Sequence, residues 1–197
     1  DSGHTAAEFY TNRTVVKLMT QITDPKSNES IYDPTCGSGS LLLKALESAI
    51  TAKGINLTVY GQEFVTETAA LARMNMWLHG AETAEIKNGN TMASPEFKDK
   101  EGNLKTFDFC VANPPFSDKK WRNGLGNPNH DVYNRFIYGT PPDKNGDYAF
   151  LQHLVASIKE NGTGAIILPH GVLFRGNAEE AIRTNLIKAG IIKAVVG

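Results

Sequence analysis

Short runs rich in β-branched and aromatic residues alternate along this chain with segments whose apolar residues recur at helical spacing, the pattern of parallel strands joined by crossover helices. The candidate strands are Ser30 to Tyr32, Leu57 to Gln62, Ala84 to Lys87, Phe107 to Ala112, Gly164 to Leu168 and Ile191 to Val196. Their apolar character suits a sheet covered on both faces. Between them Leu41, Leu42, Ala45, Leu46, Ala49 and Ile50 fall on one helical face, as do Ala69, Ala70, Arg73, Met74 and Trp77. Further helices are expected over Thr14 to Ile22, Tyr148 to Ile158 and Ala178 to Ile187. The expected fold is therefore α/β, a mostly parallel sheet with helices on both faces. At 197 residues, 41% of them hydrophobic and 21% charged, the chain is long enough for one well-buried core and is read as a single domain over 1–197.

Lys and Arg together number 20 against 21 Asp and Glu, a net charge of -1, which excludes a global basic field that would attract a polyanion. Any nucleic-acid contact has to be local or supplied by a partner. Cys36 and Cys110 have neither zinc nor disulfide-framework spacing. The five histidines are scattered and read as surface or packing residues, so no metal site is expected. No run approaches the roughly 20 apolar residues of a membrane span, and no signal peptide is visible, so a cytoplasmic location without membrane contact is expected. The chain starts at Asp1 without Met and stops at Gly197 directly after an apolar run, and is expected to be part of a longer protein.

Asp33-Pro34-Thr35-Cys36-Gly37-Ser38-Gly39 follows a strand and opens a helix, the place where open parallel sheets bind ligands. Gly37 and Gly39 allow a tight turn and close backbone approach, and Asp33 offers a carboxylate to a cationic amine. A dinucleotide site would carry a third glycine where this chain has Leu42, and no Gly-Lys-Ser or Gly-Lys-Thr is present for a phosphate loop. A nucleoside cofactor with an amino-acid end suits the turn better than a pyrophosphate. A capped strand-to-helix turn without a ligand would use the same residues. Glu63 ends the next strand near the spacing, about 20 residues on, at which an acid reaches ribose hydroxyls. Gly89-Asn90-Thr91 follows the third strand and could border an adenine ring.

Asn113-Pro114-Pro115-Phe116 closes the fourth strand, and its two prolines remove ladder donors and stiffen the exit. The Asn113 side-chain carbonyl and the Pro114 backbone carbonyl can both accept from one NH2 group, aligning its nitrogen lone pair with a methyl donor. Phe116 can stack on a planar ring bearing that amine. Downstream, Ser117 to Asp147 is far longer than the usual connection of about 4–6 residues, and loops of such length are usually functional or mobile. Its charges nearly cancel, and only Lys119 to Arg122 is positively patterned. Lys119, Lys120 and Arg122 are candidate phosphate contacts, although a solvated loop face would look the same.

These residues resemble the class I methyltransferases with an Asn-Pro-Pro-Phe/Tyr motif, and within them the modification subunits of type I restriction-modification systems. Further matching stretches are Glu8 to Thr11, Ala72 to Asn75, Asn113 to Trp121, Tyr138 to Pro142, Asp147 to His153 and Gly171 to Gly176. Together they span nearly the whole chain. The resemblance implies a Rossmann-like S-adenosyl-L-methionine-dependent fold, here truncated before its seventh strand, and methylation of adenine N6 in DNA. It also implies a specificity subunit that chooses the site and a restriction subunit as partners. By position Glu8, Phe9, Tyr10, Thr11, Asn12, Arg13, Ser38, Gly39 and Ser40 would line the methionine end of the cofactor, with Asp33 near its amino group and Gly37 a further cofactor-binding residue of the same turn. Glu63 would take the ribose, Asn90 the adenine, and Asn113, Pro114, Pro115 and Phe116 the target base. The family usually has Pro where this chain has Asn12, and Asp where it has Asn90. Relatives with Asn-Pro-Pro-Tyr act on a protein glutamine or an RNA guanine, and a nucleoside-binding subunit without catalysis is a further alternative.

Overall fold

The computed structural model describes residues 13–23, 26–54 and 56–197. Its elements follow the alternation: α1 (Arg13–Thr23), β1 (Ser30–Asp33), α2 (Ser40–Lys53), β2 (Thr58–Glu63), α3 (Thr66–Leu78), β3 (Glu85–Asn88), β4 (Phe107–Ala112), α4 (Asp147–Ala156), β5 (Ile158–Ile166) and α5 (Ala178–Lys188). The strands form one five-stranded sheet in the order β3-β2-β1-β4-β5, and every pairing is parallel. In this order the chain reverses its direction of winding between β1 and β4. Ligands of open α/β sheets collect at the carboxyl ends of the strands beside such a switch point.

Strand alternation sorts the side chains into two cores. Ile31, Val59, Ile86 and Phe109 pack with Val16 and Met19 of α1, Leu42 and Leu46 of α2 and Ala72 and Met76 of α3. Their neighbours Tyr32, Tyr60 and Cys110 face the other way, with Phe97 and with Leu154 of α4. Tyr32 stacks on Phe107 at 4.5 Å between ring centroids, and its hydroxyl lies 3.3 Å from His153 Nε2. His153 is fully buried, and burial first, then the nearby Arg135 cation, lowers its pKa to about 3. It is a neutral packing residue at ordinary pH. α5 closes the second layer, seating Ile182 and Leu186 against Tyr148 and Val172.

Two expectations are corrected. Residues 191–197 form no strand, and Ile191, Ile192, Val195 and Val196 are exposed. Lys193 Nζ reaches Thr163 Oγ1 at 3.5 Å, so the run passes near β5. It makes no ladder there, and β-rich composition yields a strand only where backbone groups find partners. The helix expected to reach Ile158 stops at Ala156, because Ile158 pairs with Phe107 and starts β5 early. The ladder then shifts register between Phe107 and Phe109, which hides the first half of β5 from a strict alternation pattern. No helix among the described residues is long and apolar enough to cross a membrane.

Candidate active site

β1 ends on Asp33, which is almost fully buried. Its Oδ1 accepts the Thr35 amide at 2.9 Å, and the Cys36 amide donates to the Gln62 carbonyl at 3.0 Å, tying the turn to β2. Gly39 stands at the N-cap of α2 with φ 80°, in the left-handed region. A Cβ there would lie 2.6 Å from Met76 Cε, so the turn and α3 approach through the missing side chain. Asn75 on α3 fixes the same stretch by donating from Nδ2 to the Ser38 carbonyl at 2.9 Å. Ser38 and Ser40 are half-buried at this rim.

Glu63, at the end of β2, braces the turn from the side. Oε2 accepts the Gly37 amide at 2.9 Å and Oε1 accepts the Val65 amide at 2.8 Å. A carboxylate has about four lone-pair sites, so two backbone bonds leave capacity for hydroxyl donors. Asn90 is likewise engaged. Its Oδ1 accepts the Met92 and Ala93 amides at 2.9 and 3.2 Å, and its Nδ2 donates to the Asn123 carbonyl at 3.1 Å. An Asp could make the first two bonds but not the third, so Asn90 links the β3 exit to the long loop in a way the usual family residue cannot. Thr91 Oγ1 donates to the Pro34 carbonyl at 2.6 Å and closes the β3 exit onto the glycine turn.

Burial pushes Asp33 up from the ordinary carboxylate range to about 7, and the neighbouring Glu63 charge adds to the rise, against the lowering effect of the Thr35 hydrogen bonds. No ion pair to Asp33 occurs among the described residues. A desolvated carboxylate at a strand end suits a cationic amine, which would restore its charge. The donor set fits the amino-acid and ribose parts of S-adenosylmethionine.

β4 lies next to β1, with Tyr32 opposite Cys110, so the tetrapeptide leaves the sheet beside the glycine turn. The Ala112 carbonyl accepts the Ile167 amide at 3.0 Å, which holds the start of the exit. Asn113 is half-buried and Pro114 buried, whereas Pro115 and Phe116 are exposed, Phe116 at 52%. An aromatic ring left half in water at a strand exit is available for stacking. Ser117 follows with φ 52°, an unusual conformation for a residue with a Cβ.

The long loop is anchored in its middle. Trp121, 1% exposed, donates from Nε1 to the Pro142 carbonyl at 3.0 Å. Arg135, equally buried, donates from Nε and Nη2 to Asp131 at 2.9 and 2.6 Å and to the carbonyls of Thr91 and Met92 at 3.2 and 2.9 Å. Burial opposes the Asp131 charge, but its bonds to Arg135 hold it below the usual carboxylate range. Of the candidate phosphate contacts, Lys119 and Lys120 are exposed, while Arg122 pairs with Asp143. That pair is exposed and of small energy.

The structure thus brings Asp33, Gly37, Ser38, Gly39, Ser40, Glu63, Asn90 and Asn113 to Phe116 to the carboxyl end of one sheet. Glu8 to Asn12 and the Arg13 side chain lie outside the described residues. Asn75, Arg135 and Asp147 carry no role that the sequence alone assigns. Their bonds join positions far apart in the chain and leave no periodic trace.

A family model described as N-6 DNA Methylase matches residues 1–197. The chain is similar to the type I restriction enzyme HindI methylase subunit of Haemophilus influenzae, 34% identical over 98% of this chain and 42% of that protein. It is also similar to the MjaIX methylase subunit of Methanocaldococcus jannaschii, 32% identical over 98% of this chain and 34% of that protein. Among solved structures, the type I restriction-modification methyltransferase subunit of Streptococcus thermophilus superposes with TM-score 0.80 at 41% identity, covering 93% of this chain and 39% of that one. A putative class I S-adenosylmethionine-dependent methyltransferase of Listeria monocytogenes, at 14% identity and TM-score 0.68, shares the fold over 95% of this chain and 54% of its own. The chain spans between a third and a little over two fifths of the length of these curated relatives.

Proposed function

Because this chain belongs to the N-6 DNA methylase family, we propose that it is the catalytic core of a modification subunit that methylates adenine N6 in DNA, acting with a specificity subunit and a restriction subunit. The observation that carries this is the adjacency of β1 and β4, which sets the Asp33 to Gly39 turn beside Asn113 to Phe116. One strand exit suits a nucleoside cofactor with a cationic amino-acid end. Its neighbour suits a planar amine.

S-adenosylmethionine, when bound, supplies an electrophilic sulfonium methyl. Asp33 would bind its amino group and Glu63 its ribose, while the backbone around Gly37 to Ser40 admits the methionine end. Asn113 and Pro114 would accept the two N–H bonds of the target amine, directing the nitrogen lone pair at the methyl. Phe116 would stack on the adenine and offset part of the few kcal/mol that unstacking from the duplex costs. No strong general base is needed, since the nitrogen becomes acidic only as the new bond forms. The work of these residues is positioning.

The near-neutral charge of the chain accords with sequence choice residing in a partner. Transfer of labelled methyl from S-adenosylmethionine to unmethylated DNA by the full-length subunit with its specificity partner tests the reading. Label on DNA that vanishes with Asn113→Ala supports it, and label on protein or RNA instead would select the glutamine or guanine alternatives.

A further inference from the structure

Directly after the exposed Phe116, the Ser117 amide donates to Asp147 Oδ1 at 2.7 Å. Asp147 begins α4 and is fully buried. Its other oxygen accepts from Nη2 of Arg175, which lies beyond the carboxyl end of β5. The same guanidinium donates from Nε to Glu179 in the first turn of α5. One chain of charge-assisted bonds therefore runs from the β4 exit through α4 to the β5 exit and α5.

The surroundings are built around this relay. A Cβ on Gly171 would stand 2.5 Å from Arg175 Nη1, so the glycine makes room for the guanidinium. Arg183 donates to the carbonyls of Val172 and Arg175, both at 3.0 Å, and the Tyr148 hydroxyl donates to the Val172 carbonyl at 2.7 Å. The buried Asp147 carboxylate needs its cation, because removing Arg175 would leave its charge out of water and uncompensated. Ser117 itself holds a strained backbone at φ 52° that persists only if its environment imposes it. Asp147 accepts the amide of that very residue.

We propose that Asp147 and Arg175 are positioning residues for the target-base site: Asp147 fixes the Phe116–Ser117 turn, and Arg175 holds Asp147 in place from the β5 side. This rests on the methyl-transfer reading of the tetrapeptide. Neither residue touches the reacting atoms. Their effect is on the orientation of Phe116 and of the carbonyls before it, where a displacement of about 1 Å costs on the order of a hundredfold in rate. Arg175→Lys replaces a planar fork by a point charge and cannot bridge Asp147 and Glu179 with the same geometry.

The test uses the full-length subunit with its specificity partner, comparing wild type with Asp147→Asn, Asp147→Ala and Arg175→Lys. Backbone hydrogen exchange at Ser117 is read without DNA, so it decides whether the turn is held independently of any methylation. Ser117 is expected to be protected in wild type and to exchange faster in each variant. Single-turnover methyl transfer is expected to fall by roughly 10- to 100-fold, with altered emission of 2-aminopurine at the target position and unchanged S-adenosylmethionine affinity. Asp147→Asn, which keeps an acceptor for Ser117, should lose less than Asp147→Ala. If the Asp147 variants fail to fold, Arg175→Lys carries the comparison. An unprotected Ser117 in wild type overturns the proposal, as do variants with wild-type rate and emission or a rate loss matched by lost cofactor affinity. Failure of wild type to methylate DNA would instead remove the methyl-transfer reading.

Discussion

Glu63 reaches from the end of β2 to accept the amide of Gly37 in the neighbouring β1–α2 turn at 2.9 Å. Its second oxygen takes the Val65 amide at the entrance to α3, so one buried carboxylate shapes two strand exits. Glu63→Gln would place an NH2 group against one of these amides. An unsatisfied buried donor costs about 1–3 kcal/mol. Urea unfolding should show a loss of that size, with weaker S-adenosylmethionine binding by calorimetry. A fully stable variant would mean the turn does not depend on Glu63.

Asp33 gives a pH dependence whose sign follows from burial. Its folded pKa of about 7 lies above the 3.8 of an unperturbed Asp, so the folded state retains a proton that the unfolded chain releases. The associated stability is fully present below the unfolded value and is lost as pH rises through about 7. In the cofactor-free protein Asp33→Asn should flatten this part of the profile, gaining on wild type between about pH 4 and about pH 7. S-adenosylmethionine affinity should rise over the same window in wild type and stay level in the variant. Equal slopes in both proteins would exclude Asp33 as the source.

Phe116 separates stability from activity. With 52% exposure it contributes little to the core, so Phe116→Ala should change unfolding free energy by less than about 0.5 kcal/mol. Stacking of a base on an aromatic ring is worth about 1–3 kcal/mol, so kcat/KM should fall roughly 5- to 100-fold and Phe116→Tyr should restore most of it. A variant that loses stability and activity together would place Phe116 in packing.

The basic stretch after Phe116 is smaller in the fold than along the chain, since Asp143 pairs with Arg122. Lys119→Ala and Lys120→Ala should each reduce the salt dependence of DNA binding by about 0.9 in the log–log slope if they meet phosphates. Arg122→Ala should reduce it less. Unchanged slopes would assign the stretch to a solvated loop face.

Much of the fold was legible because β1, β2 and β4 carry apolar runs that end at turn residues with a chemical signature, Asp33, Glu63 and Asn113. The two failures arise where local pattern and long-range pairing diverge. Ile191 to Val196 has strand composition without a ladder, and β5 contains a register shift beside Phe109. Within the site, the turn and the tetrapeptide were visible as contiguous motifs. The bonds that hold them were not. Arg135 with Thr91, Asp147 with Ser117 and Asn90 with Asn123 are single pairings between distant segments, and nothing in the spacing of either partner predicts the other.

Nucleoside mass spectrometry after incubating unmethylated DNA with the full-length subunit, its specificity partner and S-adenosylmethionine tests the proposed function most directly. The expected product is N6-methyladenine, absent when Asn113→Ala replaces wild type. Methylated cytosine, or N6-methyladenine formed equally well by the Asn113→Ala variant, would contradict it.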